Sequence, residues 1–222
     1  MTENYTEART QMVAAAQRLA QSGVLSHSGH GNMSVRLPDS ERMLITSVSH
    51  LAHLAQDMVA VASFNGEALE GQINAGTREI IAMHAGVYRE RPDVGAVIHT
   101  HSPQATTFAL AHVPLPVVYE AFLRFGITED IPVTRWAPRG SAESVSHIVD
   151  ELKTHPGIPA VLLGNHGVLA FGKRPVDAAQ IIIIMEEAAA MTLAARSLGG
   201  AKAFPAGALE QEREHMRRFG SM

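Results

Sequence analysis

The sequence predicts an α/β sandwich in one domain, with a mostly antiparallel sheet and helices packed against it. Three observations predict it. In the first third, short apolar runs flank turn residues in the manner of a meander. Further on, β-branched runs alternate with longer stretches of helical period. No G-x-G-x-x-G follows any expected strand, which argues against a doubly wound nucleotide fold.

The elements follow in order. Residues 10–22 form a first helix, because Val13, Ala16, Leu19 and Ala20 keep the helical period and Gly23 stands as a C-terminal stop. Strands at 33–37 and 43–45 flank Pro38, Asp39 and Ser40, and a third at 59–64 meets Asn65-Gly66, a strong hairpin signal. Residues 77–91 read as a helix with Thr77 as N-cap, Glu79 in the first turn, and Ile80, Met83, His84 and Val87 on one face. Pro92-Asp93 ends it. The β-branched segment 94–100 is a strand that runs straight into Ser102-Pro103, a cap and first-position proline for the next helix. Strands at 131–134 and 160–163 enclose a helix at 142–153 capped by Ser141, and 168–171 is the last strand. The isoleucines from Ile181 to Ile184 would suit a strand, but they sit inside an uninterrupted stretch, 176–198, behind Pro175. Length decides for a helix. From about residue 199 the single domain, 1–222, is expected to end in a flexible tail.

Composition narrows the chemistry. A chain of 222 residues that is 46% hydrophobic can build an interior. Eighteen basic against 22 acidic residues, net −4 and with no block of like charge, argue against nucleic acid or an anionic membrane as main partner. The longest apolar run stops at Glu186-Glu187, short of the roughly 20 residues a bilayer needs, so no membrane span is expected. The polar, acidic N-terminus lacks signal-peptide features, and a cytoplasmic location is expected. Zero cysteines leave His, Asp and Glu to hold any metal. Twelve histidines are the one compositional excess.

His99 and His101 end a strand, and period-2 geometry puts both imidazoles on one face, either to share a metal ion or as two polar residues at a strand end. His166 lies between two strands in Gly164-Asn165-His166-Gly167, where glycines let backbone approach closely. Three neutral imidazoles with an open position are the layout of a catalytic divalent site, in which the metal acts as a Lewis acid.

Three segments then resemble one family. They are 91–102, containing Val94-Gly95-Ala96-Val97-Ile98-His99-Thr100-His101, then Ala137-Pro138-Arg139-Gly140-Ser141, then 162–168, containing Gly164-Asn165-His166-Gly167. With Gly31-Asn32-Met33-Ser34 upstream, they are similar in order and spacing to the signatures of the class II aldolase/adducin family. The resemblance implies a divalent metal on His99, His101 and His166, most often zinc, with manganese, cobalt or iron as alternatives. It also implies a three-layer sandwich, its central sheet flanked by helices, and a homotetramer with active sites near subunit interfaces.

Where the family's sugar-phosphate aldolases have Pro-Ser-Ser-Glu, this chain has Ala75-Gly76-Thr77-Arg78-Glu79. The catalytic Glu is expected at position 80, which is Ile80; Glu79 comes one residue, or about 100° of helix rotation, early. By resemblance Glu79 is the proton-transfer candidate and Asn32, Thr46 and Ser47 the substrate-binding ones. The family's Thr-Pro-Ser-Gly loop is replaced by Thr46-Ser47-Val48-Ser49-His50, so the phosphate cradle is altered and Arg78 becomes a candidate carboxylate anchor. Glu120, or its neighbour Tyr119, stands where the family places the acid for the leaving aldehyde, with Arg124 one turn on. His27, His30, His50 and His53 fall in or near the pocket loops as donors or relays.

The function expected is a metal-dependent carbon–carbon lyase of aldolase type, acting on a small hydroxy-carbonyl substrate through a metal-stabilised enediolate. Decarboxylation of a hydroxy acid or aromatic acid at the same site is the alternative. A non-catalytic adducin-like module would have lost the histidines, and a metallo-hydrolase has only the three imidazoles in its favour.

Overall fold

The expected meander forms in a computed structural model that describes residues 5–38 and 40–219. Residues 1–4 of the polar N-terminus, Asp39 of the first turn and 220–222 of the tail lie outside the described residues. Strand β1 (Gly31–Arg36) pairs with β2 (Arg42–Thr46), which pairs with β3 (Val59–Ser63). Gly66, at φ +92°, turns β3 into a fourth short strand, β4 (Ala68–Glu70).

The segment after Gly95 becomes β5 (Ala96–Thr100), buried at every position because both its faces are covered. It pairs on one side with β1 and on the other with the last strand, β8 (Gly167–Gly172). Beyond β8 lie β7 (Ala160–Leu163) and the two-residue β6 (Val133–Thr134). The order is β4-β3-β2-β1-β5-β8-β7-β6, antiparallel throughout except for β6 and β7.

Helices cover both faces. On one side α1 (Thr6–Gln21), α3 (Pro103–Ala111) and α6 (Pro175–Ala195) pack together, with α6 against β5 and β8. On the other, α2 (Ala75–Glu90) lies beside α5 (Ala142–Thr154). The three-layer sandwich with a mostly antiparallel centre is the expected class. A short helix, α4 (Glu120–Arg124), precedes β6, and the segment expected as a tail carries α7 (Ala208–Phe219), which packs on α4.

One segment, Pro175–Leu198, is long and apolar enough to cross a membrane by length and composition, with a mean hydropathy of 1.5. Part of its apolar surface is used in the core, where Ile181, Ile182, Ile184 and Met185 are buried with Ala178, Ala179, Ala188 and Ala189, while Val176, Met191 and Leu198 are exposed. Glu186 of α6 turns inward and its carboxylate accepts from the Gln104 and Ala105 amides, both at 2.9 Å, capping α3 just after His101. Burial raises the pKa of that carboxyl group despite the two bonds.

Candidate metal and substrate site

The register of β1 against β5 sets Asn32 opposite His99 and Ser34 opposite Val97, so Asn32, Ser34 and His99 share the sheet face beneath α2. His101 follows two residues later on the same face. His166 comes from the three-residue turn between β7 and β8, next to Asn165 at φ +57°, a left-handed position that Asn tolerates.

Gly167 makes the approach possible. A Cβ there would stand 2.5 Å from the Thr100 carbonyl oxygen, 2.9 Å from the His101 ring and 3.2 Å from the His99 ring. Gly31 does the same across the sheet, where a Cβ would meet the His99 carbonyl at 2.6 Å.

The three rings converge with centroids 4.7 to 5.0 Å apart, and their potential ligand atoms lie within 4.8 Å of one another. His99 Nδ1–H donates to the Val168 carbonyl at 2.9 Å, which fixes the tautomer and leaves Nε2 with its lone pair directed at His101 Nε2, 3.1 Å away. Two imidazole nitrogens on a tetrahedral zinc stand about 3.3 Å apart, from the usual Zn–N length of roughly 2.05 Å. The His99–His101 pair has that spacing, and with a His166 ligand atom within 4.8 Å of both, the three could hold a divalent ion. Burial holds all three imidazoles below their ordinary pKa, His166 to about 4, with the neighbouring imidazoles and Arg139 adding to the effect. All three are neutral near pH 7, as ligation requires.

A cavity of about 210 Å³ opens over the triad. Asn32 lines it, nearly buried. Its carboxamide oxygen takes a 2.7 Å hydrogen bond from His84 Nε2, whose Nδ1 lies 2.7 Å from Ser34 Oγ, itself 2.7 Å from the Tyr88 hydroxyl. With Asn32 Oδ1 accepting, the chain runs one way: Tyr88 donates to Ser34, Ser34 to His84, His84 to Asn32. The Asn32 NH2 group remains for a ligand.

Glu79 and Ile80 both line the cavity. The one-residue offset does not take Glu79 off the cavity wall, although α2 is a continuous helix from Ala75 and no bulge re-aims it. The N-cap of α2 is Asn74, not Thr77, and its side chain accepts from the Thr77 amide at 2.8 Å while donating to the Ser47 carbonyl at 2.7 Å. Glu79 thus sits in the second turn, beside Ile80 and above Met83, and all three reach the wall.

Other expected positions lie elsewhere. Thr46 is buried, its hydroxyl accepting from the Met33 amide, and Ser47 donates from both its amide and hydroxyl to the Met58 carbonyl; the loop residue on the wall is Ser49. Arg78 is exposed on α2 away from the cavity. Tyr119 packs partly into the core, and Glu120 pairs with Arg124 at 2.8 Å, 57% exposed; within one chain neither lines the cavity. Of the loop histidines, His30 lines the cavity and lies against His50, ring centroids 4.8 Å apart and planes tilted by 34°, while His27, His50 and His53 stay off the wall.

Arg139 and Gly140 reach the cavity unassigned by the sequence reading. Gly140, at φ +76°, packs on Glu79: a Cβ would stand 3.1 Å from the Glu79 Cβ. Arg139 lies 3.4 Å from the Glu79 carboxylate. The only sequence signal for either was the Ala137–Ser141 segment, where an arginine precedes a turn glycine and a helix cap.

Comparisons with known proteins show the family and the fold. The family profile "Class II Aldolase and Adducin N-terminal domain" matches residues 10–193. A 5-methylthioribulose-1-phosphate/5-deoxyribulose-1-phosphate aldolase of Rhodospirillum rubrum is 29% identical over 213 residues, 94% of this chain and 90% of its own. A solved L-fuculose 1-phosphate aldolase superimposes with a TM-score of 0.81 at 25% identity, over 96% of this chain and 97% of that one. A putative aldolase/epimerase/decarboxylase from Escherichia coli shares the fold, with a TM-score of 0.75 at 24% identity over 93% of this chain and 98% of its own.

Proposed function

The chain belongs to the class II aldolase and adducin family, and from that premise we propose that it is a divalent-metal-dependent aldolase. It cleaves a carbon–carbon bond in a small hydroxy-carbonyl substrate that carries an anionic group. The observation that carries this is the His99–His101–His166 triad opening on a cavity whose one carboxylate, among the described residues, is Glu79. His99, His101 and His166 would hold a divalent ion, zinc first, which would supply Lewis acidity towards the substrate carbonyl.

The chain's own groups do the rest. Asn32, aligned by His84, offers its NH2 group to a substrate oxygen. As the carbon–carbon bond breaks, the Glu79 carboxylate takes the proton of the hydroxyl that becomes the aldehyde, and it returns that proton to the carbon left behind. Ile80, Met83, Val145 and Leu163 line the apolar part of the cavity and keep water from it. Homotetrameric assembly completes the proposal on the family resemblance, and light scattering after gel filtration checks it.

The Rhodospirillum rubrum relative makes ketose 1-phosphates the first substrates to try. The test is metal analysis of the purified protein, then assay with ketose 1-phosphates and hydroxy acids, recording aldehyde and carbon dioxide separately. Aldehyde release that disappears on chelation is the expected result. Protein that takes up no divalent ion and releases neither product overturns the proposal. Decarboxylation is the second reading, favoured by the Arg139 guanidinium on the cavity wall, which forks a carboxylate as well as a phosphate. Carbon dioxide without aldehyde selects it.

A further inference from the structure

We propose that Arg139 recognises the anionic end of the substrate, a phosphate or a carboxylate, at the mouth of the metal cavity. For its kinetic consequence this rests on the lyase reading above; for its binding consequence it stands alone. Among the described residues lining the cavity, Arg139 is the one permanent cation. Arg78, the cation the sequence pointed to, is on the outer side of α2.

The Arg139 guanidinium is poorly occupied by its own protein. Nη2 reaches the Gly76 carbonyl at 3.3 Å and Nε the Glu79 carboxylate at 3.4 Å, both at the long end for charge-assisted bonds. Nη1 has no partner among the described residues. Arg139 and Glu79 are 53% and 54% exposed, so their pairing contributes little to stability. A planar fork with free donors, turned towards a cavity, is the arrangement that takes up a phosphate or carboxylate in two parallel bonds.

The backbone around it favours the same charge. Helices α2 and α5 both begin here: Gly76, in the first turn of α2, lies under the guanidinium, and Ser144 and Val145, in the first turn of α5, line the cavity. Gly86 of α2 packs on Val145 and Val149 of α5, so the two run side by side in the same direction and turn their positive ends to one place.

Binding and chemistry are then coupled. An anion that takes the Arg139 fork draws it from Glu79, whose carboxylate loses its ion-pair partner and becomes available to the reacting carbon.

Metal-loaded wild type, Arg139→Gln and Arg139→Lys are titrated calorimetrically with inorganic phosphate and, separately, with malonate, and their kinetics are measured on a ketose 1-phosphate. Arg139→Gln is expected to weaken one of the two anions by roughly 10- to 100-fold, with Arg139→Lys between, while metal content and melting temperature stay at wild-type values. The anion that weakens identifies the source. KM should rise more than kcat falls. Wild type that binds neither anion, or Arg139→Gln that binds both as well as wild type, overturns the assignment. Wild type that binds an anion through Arg139 but cleaves no ketose sinks the aldolase reading and leaves Arg139 in place.

Discussion

His84 is fully buried and burial holds its pKa down to about 3, so it stays neutral over the whole range in which an exposed imidazole titrates. In the unfolded chain the same group titrates near 6.5. Above pH 7 both states carry it neutral and it adds no pH dependence. Below 6.5 the unfolded state binds a proton that the folded state refuses, so stability falls by about 1.4 kcal/mol per pH unit until the folded pKa is reached. Between pH 6.5 and 5 this amounts to roughly 2 kcal/mol. Urea unfolding at pH 7.5 and pH 5 should show that loss in wild type and a smaller one in His84→Asn, which has no imidazole there. Equal losses in the two proteins would refute the neutral, one-directional chain from Tyr88 to Asn32.

Glu79 makes the second prediction at this scale. Among the described residues its carboxylate is the one on the cavity wall, so Glu79→Gln should lower kcat by roughly 10²- to 10⁴-fold while metal content is unchanged. A variant that turns over at the wild-type rate would move the proton to another group. Glu79 was a candidate by resemblance, one residue before the expected position, and its place on the cavity wall follows from its position on α2. Arg139 was not, because what brings it over Gly76, 63 positions away in sequence, is a left-handed turn at Gly140 and the side-by-side packing of α2 and α5.

Among the elements, those with an uninterrupted local signal were legible. Strand β5 declares itself by β-branched residues and ends on the two histidines, and α6 by length against the four isoleucines. The start of α2 was misplaced because Asn74 and Thr77 are both good caps, and the choice is made at long range, by the Asn74 bond to the Ser47 carbonyl. Strand β4 and helix α7 went unread for lack of an apolar pattern: β4 is three residues and mostly exposed, and α7 is largely charged.

The turn between β7 and β8 carries an element-scale prediction. The Gly167 Cα sits so close to the end of β5 that one methyl group would overlap the Thr100 carbonyl and press on two metal-site rings. Gly167→Ala should therefore part the strand ends, costing roughly 1–3 kcal/mol as overpacking does, and weaken metal binding beyond that global loss. Metal titration beside a thermal melt separates the two effects. A variant with wild-type metal affinity would show that the close approach is not what forms the triad.

At the scale of the molecule, the sheet is one continuous layer, yet the metal site joins parts of it that the chain builds separately. His99 and His101 come from the β5 end that follows the meander and α2, and His166 from the β7–β8 hairpin some 65 residues later. An ion held by all three ties these segments only in the folded state, because the unfolded chain does not hold the three rings together. Its binding energy therefore adds to folding stability by RT ln(1 + [L]/Kd), about 4 kcal/mol at a thousandfold excess over Kd. For a chain of this length 1 kcal/mol moves the melting temperature by roughly 2–4 °C, so full loading should raise it by about 8–16 °C over the chelated protein. His166→Ala removes one of the three ligands and should lose most of that metal-dependent shift while its chelated form melts close to chelated wild type. A shift of equal size in wild type and His166→Ala would place the stabilising ion somewhere other than the triad, and with it the chemistry proposed for the cavity.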